Sequence, residues 1–149
     1  MNKKILLIYT GGTIGMVKDK KKNTLIPFNF DELLKAIPEL KSDELDLDNI
    51  STKNPIDSSN MNPDNWIEIA NMIEDKYSFY DGIVVLHGTD TMAYTASALS
   101  FMLENLNKAI ILTGSQIPIG ARRTDAKENL ITAVEIAASG KVNEVCIYF

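Results

Sequence analysis

The sequence predicts an α/β fold in which a parallel-rich (mixed) sheet is flanked by helices. Apolar runs of four or five residues, typical of buried strands, alternate with segments whose apolar residues recur every three or four positions. Strand–helix alternation at these lengths favours parallel strands joined by helices. A length of 149 residues fits about one domain, and 45% hydrophobic with 23% charged residues is an ordinary globular composition.

The first third of the chain contains the least regular segments. A strand at 5–9 ends at a glycine pair, and the polar, lysine-rich segment 16–27 predicts a surface loop or hairpin. Residues 30–37 predict a short helix that stops before Pro38. Alternation of apolar and polar residues at 45–50 predicts a short, half-exposed strand.

The rest of the chain follows a regular strand–helix pattern. Asn62 and Pro63 suit the N-cap and the first position of one helix, and Thr124 or Asp125 suits the N-cap of another. Each predicted helix has an apolar face that should pack on the sheet. These faces comprise Trp66, Ile69, Ala70, Ile73 and Tyr77; Met92, Ala96, Leu99, Leu103 and Leu106; and Leu130, Val134 and Ala137. Further strands are predicted at 83–86, 109–112 and 145–149.

Composition and charge argue against nucleic-acid and membrane partners. The net charge is −5, and no cluster of Lys or Arg is interleaved with aromatic residues. The single cysteine, Cys146, cannot form an intrachain disulfide, which favours a reducing compartment. The apolar run at 5–9 is too short for a signal peptide, and no run approaches a transmembrane span. We therefore expect a cytoplasmic protein.

Three predicted strands end in clusters of glycine and hydroxyl residues. They are T-G-G-T at 10–13, H-G-T-D-T at 87–91 and T-G-S-Q at 113–116. The carboxyl ends of strands in an open parallel sheet face the crevice where ligands bind, so the clusters would converge if the strands are neighbours. The alternative is that Asp90 and Thr91 merely cap the next helix.

These residue types suit hydrolysis through a hydroxyl nucleophile. Thr13, Thr89 and Ser115 offer hydroxyls, Asp90 offers a proton acceptor, and the glycine-rich turns offer N–H donors for an oxyanion. His87 is the only histidine, and a structural role explains it equally well. One histidine and one cysteine give no metal-ligand spacing, so no metal is expected. The residues alone indicate a threonine-based hydrolase whose base is a lysine or a tyrosine.

Four longer segments carry a family pattern. They are YTGGTIGM at 9–16, DSSNMNP at 57–63, LHGTDTMAYTASALSFMLENL at 86–106 and TGSQIP at 113–118. Together they resemble the type I (cytoplasmic-type) bacterial L-asparaginases, and the resemblance extends over essentially the whole chain. It implies an asparaginase-type N-terminal α/β domain and hydrolysis of L-asparagine to L-aspartate and ammonia, without cofactor or metal.

The resemblance also implies roles for individual residues. Thr13 would be the nucleophile that forms an acyl-enzyme ester, and Thr89 and Asp90 would belong to a second catalytic group. Backbone N–H groups near Thr13 and Thr89 would form the oxyanion hole. The residues implied to bind the substrate's α-amino and α-carboxylate groups are Asp57, Ser58, Ser59, Thr89 and Asp90.

Two departures from the family pattern concern the base. The family's loop tyrosine is matched by Leu25, and its lysine, in an R-G-N-R-T-T-K-like segment, has no counterpart in residues 1–149. Lys127 and Lys141 lie in other contexts. The family has a second, C-terminal domain and active sites between subunits. We therefore expect residues 1–149 to be an N-terminal domain, incomplete at its C-terminal end and with the C-terminal domain absent. The full-length protein is expected to be a homo-oligomer, dimer or tetramer.

Three other functions are alternatives to asparaginase activity. A related glutaminase-asparaginase would use the same framework. The asparaginase-like subunit of the archaeal tRNA-dependent amidotransferase fits less well, because the chain lacks an extra N-terminal domain. The third is a non-catalytic module that binds an amino acid or assembles with another chain, since the family lysine is missing.

Overall fold

A computed structural model describes residues 2–18, 25–27, 33, 35 and 37–149. The strands are β1 (Lys3–Tyr9), β2 (Met16–Lys18), β3 (Leu25–Pro27), β4 (Leu45–Ser51), β5 (Gly82–Leu86), β6 (Ile110–Thr113) and β7 (Val145–Ile147). The helices are α1 (Pro63–Lys76), α2 (Met92–Met102) and α3 (Ala126–Ser139). Five strands form one sheet in the order β4-β1-β5-β6-β7, with every neighbouring pair parallel. The predicted parallel-rich sheet flanked by helices is confirmed.

The sheet is covered on both faces, which explains its continuous apolar strands. Successive side chains of a strand point to opposite faces. Ile5 and Leu7 accordingly belong to one core cluster, together with buried residues of α3. Leu6 and Ile8 belong to the other cluster, together with buried residues of α1 and α2.

Most predictions for the first third of the chain fall on described residues. β4 alternates between exposed and half-buried residues at the sheet edge, as its sequence pattern predicts. The segment 16–27 contains β2 and β3, which pair antiparallel apart from the main sheet. Of the predicted helix at 30–37, Leu33 and Lys35 are helical, Ile37 is not, and the other residues lie outside the described ones.

One predicted helix is shorter than its apolar stripe. α2 ends at Met102, because Leu103 has an extended backbone and Asn105 a left-handed one. Leu103 and Leu106 nevertheless pack on the same core cluster as α2. Among the described residues, no helix is long and apolar enough to cross a membrane.

The strands on either side of β1 end at the same level. Tyr9, the last residue of β1, pairs with Ser51 of β4 and with Leu86 of β5. Leu86 in turn pairs with Thr113, the last residue of β6. Numbered along the chain within this sheet, the strand order is 2-1-3-4-5, which reverses between β1 and β5. A ligand crevice is expected at the carboxyl ends of such a pair.

Candidate active site

The turn after β1 lies directly against the turn after β4. Ile56 N donates to Thr10 O at 3.0 Å, and Thr10 N and Oγ1 both donate to Leu86 O at 3.0 Å. Gly11 has a φ of 130°, and a Cβ there would collide with Ile56 O. The first glycine of T-G-G-T is therefore required both by its backbone conformation and by the approach of residue 56.

Gly88 is the point where three backbone segments meet. A Cβ on Gly12 would lie 2.6 Å from Gly88 Cα, and a Cβ on Gly88 would collide with Ser58 Oγ. Thr13 follows Gly12 directly, and Thr89 follows Gly88. The structure thus brings the T-G-G-T, D-S-S-N and H-G-T-D-T segments together at the carboxyl ends of the strands.

The turn at 57–60 is held by its own side chains. Asp57 Oδ1 accepts hydrogen bonds from Ser59 N at 3.0 Å and from Ser59 Oγ at 2.9 Å. These two donors lower the pKa of Asp57 below its usual value, so the exposed carboxyl is ionised at neutral pH. Ser58, by contrast, is only 3% exposed and starts the 3₁₀ turn Ser58–Asn60.

The alternative that Thr91 serves to cap α2 is wrong. Thr91 occupies the N-cap position, but its side chain makes no capping bond. Thr91 Oγ1 instead donates to Ser58 O at 2.7 Å, which joins two segments 33 residues apart in the sequence. Asp90 is exposed, and Thr89 is half-buried.

The turn after β6 reaches Thr89 through Gln116, the last residue of the T-G-S-Q cluster. Gln116 Nε2 donates to Thr89 Oγ1 at 3.3 Å. Asp125 accepts from Gln116 N at 2.9 Å and from Ile117 N at 3.0 Å, whereas its side chain does not cap α3. The capping group is Thr124 Oγ1, which accepts from Ala126 N at 3.0 Å.

Ser115 is used to close this same turn. Its side chain is buried, and Oγ donates to Ile117 O at 2.9 Å. A hydroxyl that is buried and already bonded to a carbonyl is a poor candidate nucleophile. Thr13 and Thr89 are the half-buried hydroxyls that remain at the meeting point of the turns.

His87 has the structural role that the sequence left open. It is fully buried, with Nδ1 2.6 Å from Gly88 O and Nε2 2.9 Å from Thr95 Oγ1. Trp66 Nε1 donates to Thr95 Oγ1 at 3.1 Å. Burial lowers the pKa of His87, so the imidazole is neutral at pH 7. Because both ring nitrogens are hydrogen-bonded to other groups of the protein, His87 has a structural role.

The described part of the chain contains no group of three or more His, Cys, Asp or Glu side chains placed to hold a metal ion. Lys127 and Lys141 are exposed, the first on α3 and the second just beyond its end. Leu25, which matches the family's loop tyrosine, lies on β3.

These features define a doubly wound α/β domain with a hydroxyl-rich site at the point where its strand order reverses. Residues 4–149 match the family model "Asparaginase, N-terminal", and the chain belongs to the asparaginase family.

Relatives agree with this assignment along the whole chain. The chain is 47% identical to L-asparaginase 1 of Escherichia coli (strain K12) over 148 residues, which are 99% of this chain and 44% of that protein. The structure of L-asparaginase I from Vibrio cholerae matches with a TM-score of 0.89 and 46% identity, covering 100% of this chain and 45% of the other. The thermostable L-asparaginase from Thermococcus kodakarensis matches with a TM-score of 0.90 and 36% identity, covering 98% and 44%. The chain spans less than half the length of these relatives.

Proposed function

We propose that the protein is an L-asparagine amidohydrolase and that residues 1–149 form its N-terminal domain. The observation that supports this most directly is the contact of Gly12, Ser58 and Gly88. It lies next to two half-buried threonine hydroxyls at the carboxyl ends of parallel strands. Membership in the asparaginase family selects amide hydrolysis among the reactions that such hydroxyls can support.

In the proposed reaction, Thr13 Oγ attacks the side-chain amide carbon of asparagine. Ammonia leaves as the Thr13 ester forms, and water then hydrolyses the ester to give aspartate. Backbone N–H groups near Thr13 and Thr89 stabilise the oxyanion. Thr89 and Asp90 form the second catalytic group. The hydroxyl proton of Thr13 passes in net terms to the amide nitrogen, which leaves as ammonia.

The substrate's α-amino and α-carboxylate groups bind at Asp57, Ser58, Ser59, Thr89 and Asp90. The lowered pKa of Asp57 keeps this carboxyl negative at neutral pH, which complements an α-ammonium group. Thr91 ties Ser58 to the start of α2, so the turn at 57–60 and Thr89 are held as one unit.

The test uses the protein as it is naturally expressed and measures ammonia release from L-asparagine. Thr13→Ala should lower turnover by at least about a thousandfold, because the nucleophile is lost. The matched control is Thr132→Ala on α3, which should stay within about twofold of the wild type. Wild-type turnover in the Thr13→Ala variant would refute the nucleophile assignment.

Glutamine serves as the second substrate in the same assay. Comparable turnover of asparagine and glutamine would indicate a glutaminase-asparaginase. Binding of asparagine by calorimetry without ammonia release would instead indicate a non-catalytic amino-acid-binding module.

We further propose that the full-length protein is a cytoplasmic homo-oligomer, a dimer or a tetramer. The negative net charge and the single cysteine support the cytoplasmic location. Sedimentation of the natural protein tests the oligomeric state, since a monomer at micromolar concentration would contradict it. Cell fractionation tests the location.

A further inference from the structure

With the imidazole neutral, the hydrogen bonds around His87 have only one consistent direction. A carbonyl can only accept, so His87 Nδ1 carries the proton and donates to Gly88 O. Nε2 is then an acceptor, and Thr95 Oγ1 donates to it. Trp66 Nε1 can only donate, and it donates to Thr95 Oγ1. The donors therefore follow one another from Trp66 to Thr95, to His87 and to the Gly88 carbonyl.

This series of hydrogen bonds ends at Gly88, a residue whose backbone conformation is not restricted by a side chain of its own. Position 88 must be glycine, because any Cβ would collide with Ser58 Oγ. Glycine leaves the backbone free to rotate, since no side chain restricts φ and ψ. Packing against Gly12 and Ser58 places Gly88, and the hydrogen bond from the His87 ring fixes the direction of its carbonyl from inside the core.

The carbonyl of Gly88 and the N–H of Thr89 belong to one peptide group. A peptide group is planar, so fixing the direction of its carbonyl also fixes the direction of its N–H. The proposed function draws the oxyanion donors from the backbone N–H groups near Thr13 and Thr89, and the N–H of this peptide group is one of them. An oxyanion donor is effective only when it is aimed beforehand, because it acts in the transition state.

We propose that His87 is a positioning residue, which fixes the Gly88–Thr89 peptide through its Nδ1–H bond and thereby aims the Thr89 N–H. The proposal rests on the proposed function for its catalytic consequence. The two ring nitrogens have different roles. The bond made by Nδ1 fixes the Gly88–Thr89 peptide, and the bond made by Nε2 holds the ring in place.

Two substitutions separate the two nitrogens. His87→Asn keeps an amide N–H donor at the position of Nδ1 and loses the acceptor at Nε2. His87→Gln keeps an acceptor for Thr95 and loses the donor to Gly88. Both remove the ring, so both should lower the melting temperature, which makes each a control for the other.

The experiment measures kcat and KM for asparagine with the natural full-length protein. His87→Gln should have a kcat about tenfold below that of His87→Asn, with KM values within about threefold, because the aimed N–H acts in the transition state. Equal losses of kcat in both variants, or losses that follow the melting temperature, would overturn the proposal.

A second readout does not need turnover. Deuterium exchange of peptides covering residues 87–90 should be faster in His87→Gln than in His87→Asn, because the Gly88–Thr89 peptide has lost its bond. Equal exchange in the two variants would overturn the proposal even if the enzyme is active. If the wild type does not hydrolyse asparagine, the proposed function fails, and this exchange difference alone decides whether His87 fixes the peptide.

If neither variant at position 87 folds, Thr95→Val and Thr95→Ser take their place. Thr95→Val removes the donor that selects the tautomer of His87, whereas Thr95→Ser keeps it. The valine variant should have a kcat about threefold or more below that of the serine variant. Equal kcat values would contradict the proposal.

Discussion

The hydroxyl of Thr91 is bonded to the main-chain carbonyl of Ser58 at 2.7 Å. One residue is at the start of α2 and the other is in the turn that follows β4. This bond joins the two turns that carry the candidate substrate-binding residues, and it adds to the packing of Ser58 against Gly88.

Loss of the Thr91 hydroxyl should affect substrate binding more than turnover. Thr91→Val removes the donor and leaves Ser58 O without this partner, which should lower the free energy of unfolding by about 1 kcal/mol. We expect KM for asparagine to rise several-fold with a smaller change in kcat. Thr91→Ser keeps the hydroxyl and is the control. Identical KM values in the two variants would show that the bond is not important for binding.

A methyl group at Gly12 should abolish activity, whereas the same change at Gly140 should not. Both glycines have a positive φ, 86° at Gly12 and 65° at Gly140. Gly140, with a ψ of 15°, is left-handed helical, where an alanine costs about 1 kcal/mol. Gly12, with a ψ of 167°, lies in a region that essentially only glycine adopts, so an alanine is strained more there and the collision adds to that strain. Only the Cβ at Gly12 meets a neighbour, at 2.6 Å from Gly88 Cα, while nothing lies within 4 Å of the one at Gly140. We expect at least about a hundredfold loss of kcat for Gly12→Ala. Similar kcat values in the two variants would contradict the contact.

Asp125 should matter for stability through the turn after β6 and not through helix capping. Asp125→Ala leaves the N–H groups of Gln116 and Ile117 without their carboxylate, which should lower the free energy of unfolding by about 1–3 kcal/mol. Asp125→Asn keeps one acceptor oxygen and should lose less. Urea denaturation measures both. Equal stability of the alanine variant and the wild type would refute this role.

The stability of the protein should fall with pH below about 6.5 because of His87. Burial lowers the pKa of His87 in the folded state below its ordinary value of 6.5. The unfolded chain therefore binds a proton in a pH range where the folded protein does not, and acid favours unfolding. The contribution is complete above pH 6.5 and is lost as the pH falls toward the folded pKa, by at most about 1.4 kcal/mol per pH unit.

Denaturation at several pH values, with His87→Gln as the comparison, measures this effect. The slope just below pH 6.5 should be smaller in the variant. Asp48 and Asp81 also have lowered pKa values, but they affect stability in a separate range, below about pH 4, because their carboxylates take up protons on unfolding there. An unchanged slope in the variant would mean that His87 does not titrate as proposed.

Features set by short stretches of sequence could be predicted, and those set by distant pairs could not. The apolar runs and helical stripes predicted the strands, the buried faces and the polar turns at the strand ends, because burial follows residue periodicity. The bond from Thr91 to Ser58 joins residues 33 positions apart, and that from Gln116 to Thr89 joins residues 27 apart. Such pairs depend on which strands are neighbours, and the local sequence pattern does not determine the strand order.

The N-caps illustrate the same limit. Thr91 and Asp125 have the residue types that cap helices, and both occupy the N-cap position. In each case the side chain bonds instead to a turn that the fold brings near. A sequence pattern can identify a suitable capping residue, but a competing partner from another segment decides how the side chain is used.

Trp66 is the only tryptophan among the 149 residues, and its indole N–H is bonded to Thr95, the residue that holds His87. Indole emission responds to the polarity and hydrogen bonding around the ring. The protein therefore carries a built-in fluorophore two side chains away from the Gly88 carbonyl. Its spectrum can follow the state of that buried network in solution, during titration or substrate addition, without any attached label.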